Sequence, residues 1–226
     1  MKTNARRLSS LLLVAATLLF AGLIQTRADT PALSSFSNDG GRGTASDVTL
    51  GWDFTLSNSV TVTSLGVWDG NNGPTNPFGP EGDGLLTDHL VSIWTSTGSF
   101  VASVLVPAGG GTLLNGFRYA AIAPTFLAAG KHVIGAYYAV GNQDRNAALM
   151  TTITTAAGVT FGQPRADGGN AFPVGTLSGN GVFGPNFQFV TGRVGVPEGG
   201  SSATLLAISG LLICGAAMRH RRIATV

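Results

Sequence analysis

Cysteine and histidine are nearly absent from this chain of 226 residues. The one cysteine, Cys214, lies in an apolar stretch near the C-terminus, and the chain has three histidines. Residues 29–196 therefore contain no thiol, which excludes a domain held together by disulfide bonds. The same segment contains no G-x-S-x-G, H-E-x-x-H, Walker or dinucleotide-binding motif, so the familiar catalytic signatures are missing as well.

Charged residues are also scarce, at 11% of the chain, and they are unevenly placed. Residues 29–196 contain six basic and ten acidic residues, a net charge of 6 − 10 = −4, although the whole chain is formally +2. The excess of positive charge therefore lies at the two ends. A negative central segment disfavours nucleic acid as a partner.

Glycine, by contrast, is abundant. The chain has 33 glycines, about twice the number expected from an average usage of about 7%. No G-X-Y repeat accompanies them, which argues against collagen, and a hydrophobic content of 44% argues against disorder. Glycine in this amount favours tight turns between short strands.

The N-terminus has the layout of a secretory signal peptide. Three cations precede an apolar run over residues 8–24, and the small-residue site Thr26-Arg27-Ala28 follows. This order predicts a signal peptide over residues 1–28, cut by signal peptidase after Ala28, with Asp29 as the first mature residue. The alternative is an uncleaved membrane anchor, for which the apolar run is short.

The C-terminus contains a second apolar segment. Residues 199–218 carry no charge, and as a helix these 20 residues would extend about 30 Å, enough to cross a bilayer core. Arg219, Arg221 and Arg222 follow directly, and such a cluster stays on the cytoplasmic side of a membrane. The pattern predicts a transmembrane helix in a membrane-held precursor; a buried helix of the domain core is the alternative.

A short motif, Val196-Pro197-Glu198-Gly199-Gly200, precedes this predicted span. Motif, span and arginine cluster together resemble the PEP-CTERM class of bacterial sorting signals, in the variant that begins Val-Pro-Asp, with Glu198 in place of the aspartate. The resemblance implies that residues 196–226 are a sorting signal read by an exosortase-type membrane protease and cleaved near Pro197. It further implies delivery of the remaining domain to the cell surface or an extracellular matrix.

The segment between the two ends, residues 29–195, shows apolar alternation of period two between clusters of turn residues. A polar, turn-rich stretch over residues 29–43 comes first. The alternation predicts about eight strands, at residues 48–54, 60–68, 89–94, 100–106, 116–122, 131–140, 159–161 and 187–194. A change of phase near Ser64 indicates a bulge, and residues 145–155 fit either a short helix or a strand. We expect one all-β domain, an antiparallel β-sandwich or jelly roll.

Several of these strand segments also resemble an uncharacterised β-sandwich domain that recurs in proteins with this type of tail. The residues that carry the resemblance are 50–54, 63–69, 91–94 with Gly98, 117–119 and 127–137. It implies an architecture and no activity.

Catalytic candidates in the central segment are few. His89 follows Asp88, but neighbouring residues of a strand face opposite sides, so we interpret them as a strand-edge pair in solvent. Glu81, Asp83 and Asp88 offer carboxylates for glycoside hydrolysis, yet their Gly-rich setting is typical of a solvated loop.

Oxygen ligands for calcium are concentrated in the same region, one of two long irregular stretches (69–88 and 163–185) where binding is expected. They are Asp69, Asn71, Asn72, Asp83 and Asp88. Their spacing does not match an EF-hand, and turn chemistry alone accounts for these residue types. We therefore expect no cofactor, with calcium as the alternative.

The three tryptophans offer a platform on which a sugar ring can stack. Trp52 and Trp94 lie in strong apolar alternation, which predicts core positions, whereas Trp68 stands at a strand end and is the best candidate for ligand contact. The sequence as a whole predicts an exported structural or adhesive domain without catalytic activity. The alternative is a carbohydrate-binding module or glycan-acting enzyme with extracellular polysaccharide as its partner.

Overall fold

The computed structural model describes residues 28–42, 47–70, 84–178 and 184–191, with the side chains of residues 37–42 and 147–151 left undescribed. The predicted signal helix and transmembrane helix both lie outside these ranges. None of the residues described forms a helix with the length and hydropathy that a membrane span requires.

The described residues form thirteen strands in three antiparallel sheets. The five-stranded sheet has the order β1 (Thr30–Pro31), β13 (Pro185–Thr191), β4 (Val60–Trp68), β8 (Phe117–Leu127) and β7 (Thr112–Leu114). The six-stranded sheet has the order β12 (Gly175–Thr176), β11 (Val159–Gly168), β3 (Val48–Leu56), β9 (Gly130–Tyr138), β5 (His89–Thr95) and β6 (Phe100–Val106). A two-stranded ribbon pairs β2 (Leu33–Arg42) with β10 (Asn146–Thr155).

The two large sheets share one apolar core, which follows from the period-two alternation of their strands. Trp52 and Phe54 on β3 pack against Phe187 on β13, with ring centroids 6.2 and 4.7 Å apart. The indole Nε1 of Trp52 donates to the carbonyl oxygen of Pro185 at 2.8 Å, so this buried polar atom is satisfied. The prediction of an all-β, antiparallel fold is confirmed over the described residues.

A further layer covers part of the five-stranded sheet on the face that carries Gly66 and Trp68. The ring of Phe36 on β2 meets the rings of Trp68 and Phe117 edge-on, at 6.1 and 5.9 Å. Beside it, the Asn186 side chain accepts from the backbone N–H of Leu33 and donates to its carbonyl oxygen, each at 2.9 Å. This side chain satisfies both backbone polar groups of Leu33.

All eight predicted strand segments lie wholly or largely in observed strands, except that residues 192–194 of the last segment lie outside the described residues. Residues 145–155, left open between helix and strand, lie mostly in β10. The bulge expected near Ser64 is present, because the pairing of β4 shifts between Val62 and Ser64. Residues 29–43 were expected to be turn-rich, which is wrong: most of them form β1 and β2. The ribbon partner β10 and the packing of Phe36 stabilise an extended backbone despite the polar composition.

The prediction that residues 163–185 form an irregular stretch is also partly wrong. The strand β11 continues to Gly168, paired with β3, and β12 pairs with Arg165 and Ala166. An ion pair also joins β11 and β3 here, with Arg165 Nη2 2.6 Å from Asp53 Oδ2.

Candidate functional site

The sequence-predicted sorting residues lie outside the described ranges. These are Val196, Pro197, Glu198, Gly199, Gly200, Arg219, Arg221 and Arg222. Ala28, the predicted signal-peptidase site, is exposed and stands two residues before β1. Thr191, the last described residue, ends β13 five residues before the predicted motif.

The prediction that the tryptophans offer a stacking platform for a sugar ring is wrong, because all three indoles are buried. Trp52 and Trp94 are 0% and 8% exposed, as expected for core positions, but Trp68 is only 3% exposed. Strand β2 covers Trp68 through Phe36. The polar sequence of β2 did not predict that it would pack there. Trp94 lies against Gly135 of the neighbouring strand and is capped edge-on by Phe172 at 5.9 Å. The described tryptophans therefore offer no open face to a sugar ring.

His89 is the centre of a buried polar cluster that the sequence did not indicate. Its Nε2 lies 3.0 Å from Asp144 Oδ2, and its Nδ1 lies 3.1 Å from the carbonyl oxygen of Tyr137. Both side chains of the His89–Asp144 pair are at most 1% exposed. A carbonyl oxygen and an ionised carboxylate only accept, so the His89 ring lies between two acceptors.

The expectation for Asp88 and His89 is thus half right. They do face opposite sides of the strand: Asp88 is exposed and accepts from the backbone N–H of Ala108 at 2.7 Å. The interpretation of His89 as a solvent residue is wrong. Asp144, from the segment between β9 and β10, brings a buried carboxylate to the ring.

Asp144 also holds the chain that precedes β5. Its Oδ1 accepts from the backbone N–H of Leu86 at 2.7 Å, and its Oδ2 accepts from the backbone N–H and the hydroxyl of Thr87 at 2.8 and 2.7 Å. Burial alone would raise the pKa of Asp144, but the hydrogen bonds from His89, Leu86 and Thr87 outweigh burial and hold the pKa below its ordinary value.

Tyr138 closes the cluster on the core side. Its ring meets the His89 ring edge-on at 4.6 Å. Burial, with a contribution from the charge of Asp144, raises the pKa of Tyr138 above the ordinary value of 10.0, so the phenol stays protonated. Its hydroxyl is buried and, within the described part of the chain, has no hydrogen-bond partner.

This cluster can anchor chain segments, and its geometry does not favour chemistry on a substrate. Both His89 nitrogens are engaged, and the His89–Asp144 pair is shielded from solvent. A general base needs a free nitrogen within reach of a substrate proton. The observed partners instead join β5, the end of β9 and the segments at residues 86–87 and 142–144.

The lowered pKa of Asp144 predicts loss of stability in acid. A carboxylate whose folded-state pKa is depressed contributes stability that is fully present above the ordinary value of 3.8 and is lost as the pH falls through the lowered value. We expect Asp144→Asn to unfold at lower urea concentration than the native chain at pH 7, with the difference shrinking below about pH 4. Urea titrations at a series of pH values measure this, and a difference independent of pH would contradict it.

Asp69 forms a second buried anchor. It is 0% exposed, its Oδ2 lies 2.5 Å from Arg118 Nε, and its Oδ1 accepts from the backbone N–H of Gly84 at 3.2 Å. Asp69 and Asp144 therefore both bind the chain segment that follows the undescribed residues 71–83. Asp69 binds it at Gly84, and Asp144 binds it at Leu86 and Thr87.

Asp69, one of the oxygen ligands of the calcium alternative, has its carboxylate buried against Arg118. Asp88 is engaged with Ala108, and Asn71, Asn72, Glu81 and Asp83 lie outside the described residues. Among the residues that the structure does describe, no group of three or more His, Cys, Asp or Glu side chains could hold a metal ion.

Comparison of the chain with protein-family models, with curated proteins and with solved structures gives no match in any of the three.

Proposed function

We propose that the chain is the precursor of an exported protein, whose β-sandwich domain, residues 29–195, has a structural or adhesive role at the cell surface or in an extracellular matrix. The observation that carries this proposal is the order of motif, apolar span and arginine cluster over residues 196–226. Export machinery and signal peptidase act on residues 1–28, and an exosortase-type membrane protease acts near Pro197.

The pairing of the first and last strands supports this assignment. Thr30 of β1 is paired with Phe189 of β13 in antiparallel register. In such a pair the chain that precedes one strand and the chain that follows the other run toward the same end of the sheet. The described domain therefore has its two ends side by side, so the two processing sites follow from the same end of the sheet.

The strand boundaries support it as well. The thirteen described strands run from Thr30 to Thr191, so cuts after Ala28 and near Pro197 remove none of them. The proteolytic steps thus leave the shared core of the two large sheets intact.

The structural or adhesive role is supported by the use of the buried polar groups. Asp69, His89 and Asp144 are each hydrogen-bonded to other parts of the chain, and their contacts hold chain segments in place. Loss of a surface layer or of cell adhesion in a deletion strain would support this role. Binding in a glycan array would instead favour the carbohydrate-binding alternative.

Intact-mass analysis of protein recovered from the culture surface tests the processing. We expect a product that begins near Asp29 and ends near Val196. Replacing Arg219, Arg221 and Arg222 together by asparagine removes the charges that hold the C-terminus inside, and we expect the precursor to accumulate unprocessed. The matched control is Arg193→Asn, a charge loss before the motif that leaves processing unchanged. A surface product that still contains Arg222 would refute the proposal.

A further inference from the structure

The first residues beyond the proposed signal-peptidase cut are paired with the last described strand. Thr30, the first residue of β1, lies opposite Phe189 of β13. Ala32, the residue after β1, donates its backbone N–H to the carbonyl oxygen of Phe187 at 2.8 Å. Because the proposed cut follows Ala28, pairing with β13 begins at the second residue beyond the cut.

The same segment is bound by further parts of the chain and is buried. The carbonyl oxygen of Ala32 accepts from the backbone N–H of Ala156 at 2.9 Å, and the side chain of Asn186 binds both backbone polar groups of Leu33. Ala32 and Leu33 are both 0% exposed. The chain is therefore enclosed in the domain within five residues of the proposed cut.

This short distance matters because a protease binds its substrate as an extended strand, over several residues on both sides of the bond that it cuts. Residues that are paired and buried in a domain enter such a cleft only when that part of the domain opens. Thr30 is paired with β13 and lies two residues from Ala28. The docked β1 therefore keeps signal peptidase from binding the residues beyond the cut.

The partner of β1 is also the last described strand in chain order. Thr30 and Phe189 are separated by 189 − 30 = 159 residues. Synthesis proceeds from the N-terminus at about 5–20 residues per second, so β13 follows β1 by about 8–30 s. During that interval the chain around Ala28 has no β13 to pair with, and the cut bond stays accessible.

We propose, building on the proposed cut after Ala28, that this cut precedes the docking of β1 onto β13. The cut adds water across the peptide bond between Ala28 and Asp29, which leaves a carboxylate on Ala28 and an amino group on Asp29. Docking of β1 then completes the five-stranded sheet and buries Ala32 and Leu33. A chain that completes this sheet before it is cut becomes a poor substrate for signal peptidase.

Cleavage of the folded precursor by purified signal peptidase tests this order. The full chain is folded in detergent, its fold is checked by circular dichroism, and the enzyme is then added. A variant carries a glycine–serine linker of about eight residues between Asp29 and Thr30, which spans about 15 Å and separates the cut bond from β1. We expect the variant to be cut at least about tenfold faster than the native chain, because cleavage of a docked site is limited by the fraction of open molecules.

The matched control carries the same linker after Gly109, in an exposed turn between β6 and β7, and is expected to be cut as slowly as the native chain. Equal rates for the folded native chain and the variant with the linker after Asp29 would overturn the proposed order. Each chain is also added to the enzyme directly from urea, before β1 docks, and all three are then expected to be cut equally fast. If none is cut from urea, the proposed cut after Ala28 is itself wrong, which is a different result from equal rates in the folded state.

Discussion

Replacing Asp144 with alanine is expected to lower the free energy of unfolding by several kcal/mol, because each buried donor left without its acceptor costs about 1–3 kcal/mol. The substitution leaves His89 and the backbone N–H groups of Leu86 and Thr87 without their acceptor inside the protein. Urea unfolding at pH 7, followed by tryptophan fluorescence, measures the loss.

The control is Asp88→Ala, on the exposed side of the same chain segment. Asp88 accepts one hydrogen bond, from Ala108, and its loss is expected to cost about 1 kcal/mol or less. If both variants unfold at the same urea concentration, the Asp144 cluster does not contribute as its geometry implies.

The strands were predictable from the sequence because each large sheet has one face in the core, which imposes alternation on the chain. In β3, for example, Leu50, Trp52 and Phe54 alternate with Gly51 and Asp53, and the pattern is local. Period-two patterning of this kind needs no knowledge of distant residues.

The polar clusters were not predictable, because their members are far apart in the sequence. His89 and Asp144 are separated by 55 residues, and Asp69 and Arg118 by 49. No spacing rule joins them, and Asp144 stands in a segment without a motif. The sequence neighbour of His89 is Asp88, which the strand directs away from the ring toward Ala108.

The position of Trp68 was missed for a related reason. A tryptophan at a strand end is exposed unless another layer covers it, and here the cover is Phe36 in a segment rich in serine, asparagine and glycine. That composition indicates turns when β2 is considered alone. Its strand conformation depends on β10, more than a hundred residues later in the sequence.

Replacing Gly51 with alanine is expected to lower the free energy of unfolding by about 3 kcal/mol, the upper part of the usual range for overpacking. A side-chain carbon at Gly51 would overlap the carbonyl oxygen of Ile134 and lie 2.8 Å from the Cα atom of Gly135. Both are backbone atoms of β9, paired with β3 near the middle of the six-stranded sheet, so no rotamer change relieves the contact. Gly168→Ala adds the same methyl group to β11, where nothing lies within 4 Å, and is expected to leave stability nearly unchanged. Thermal or urea unfolding of the two variants distinguishes the cases, and equal stability would show that β3 and β9 separate there without cost.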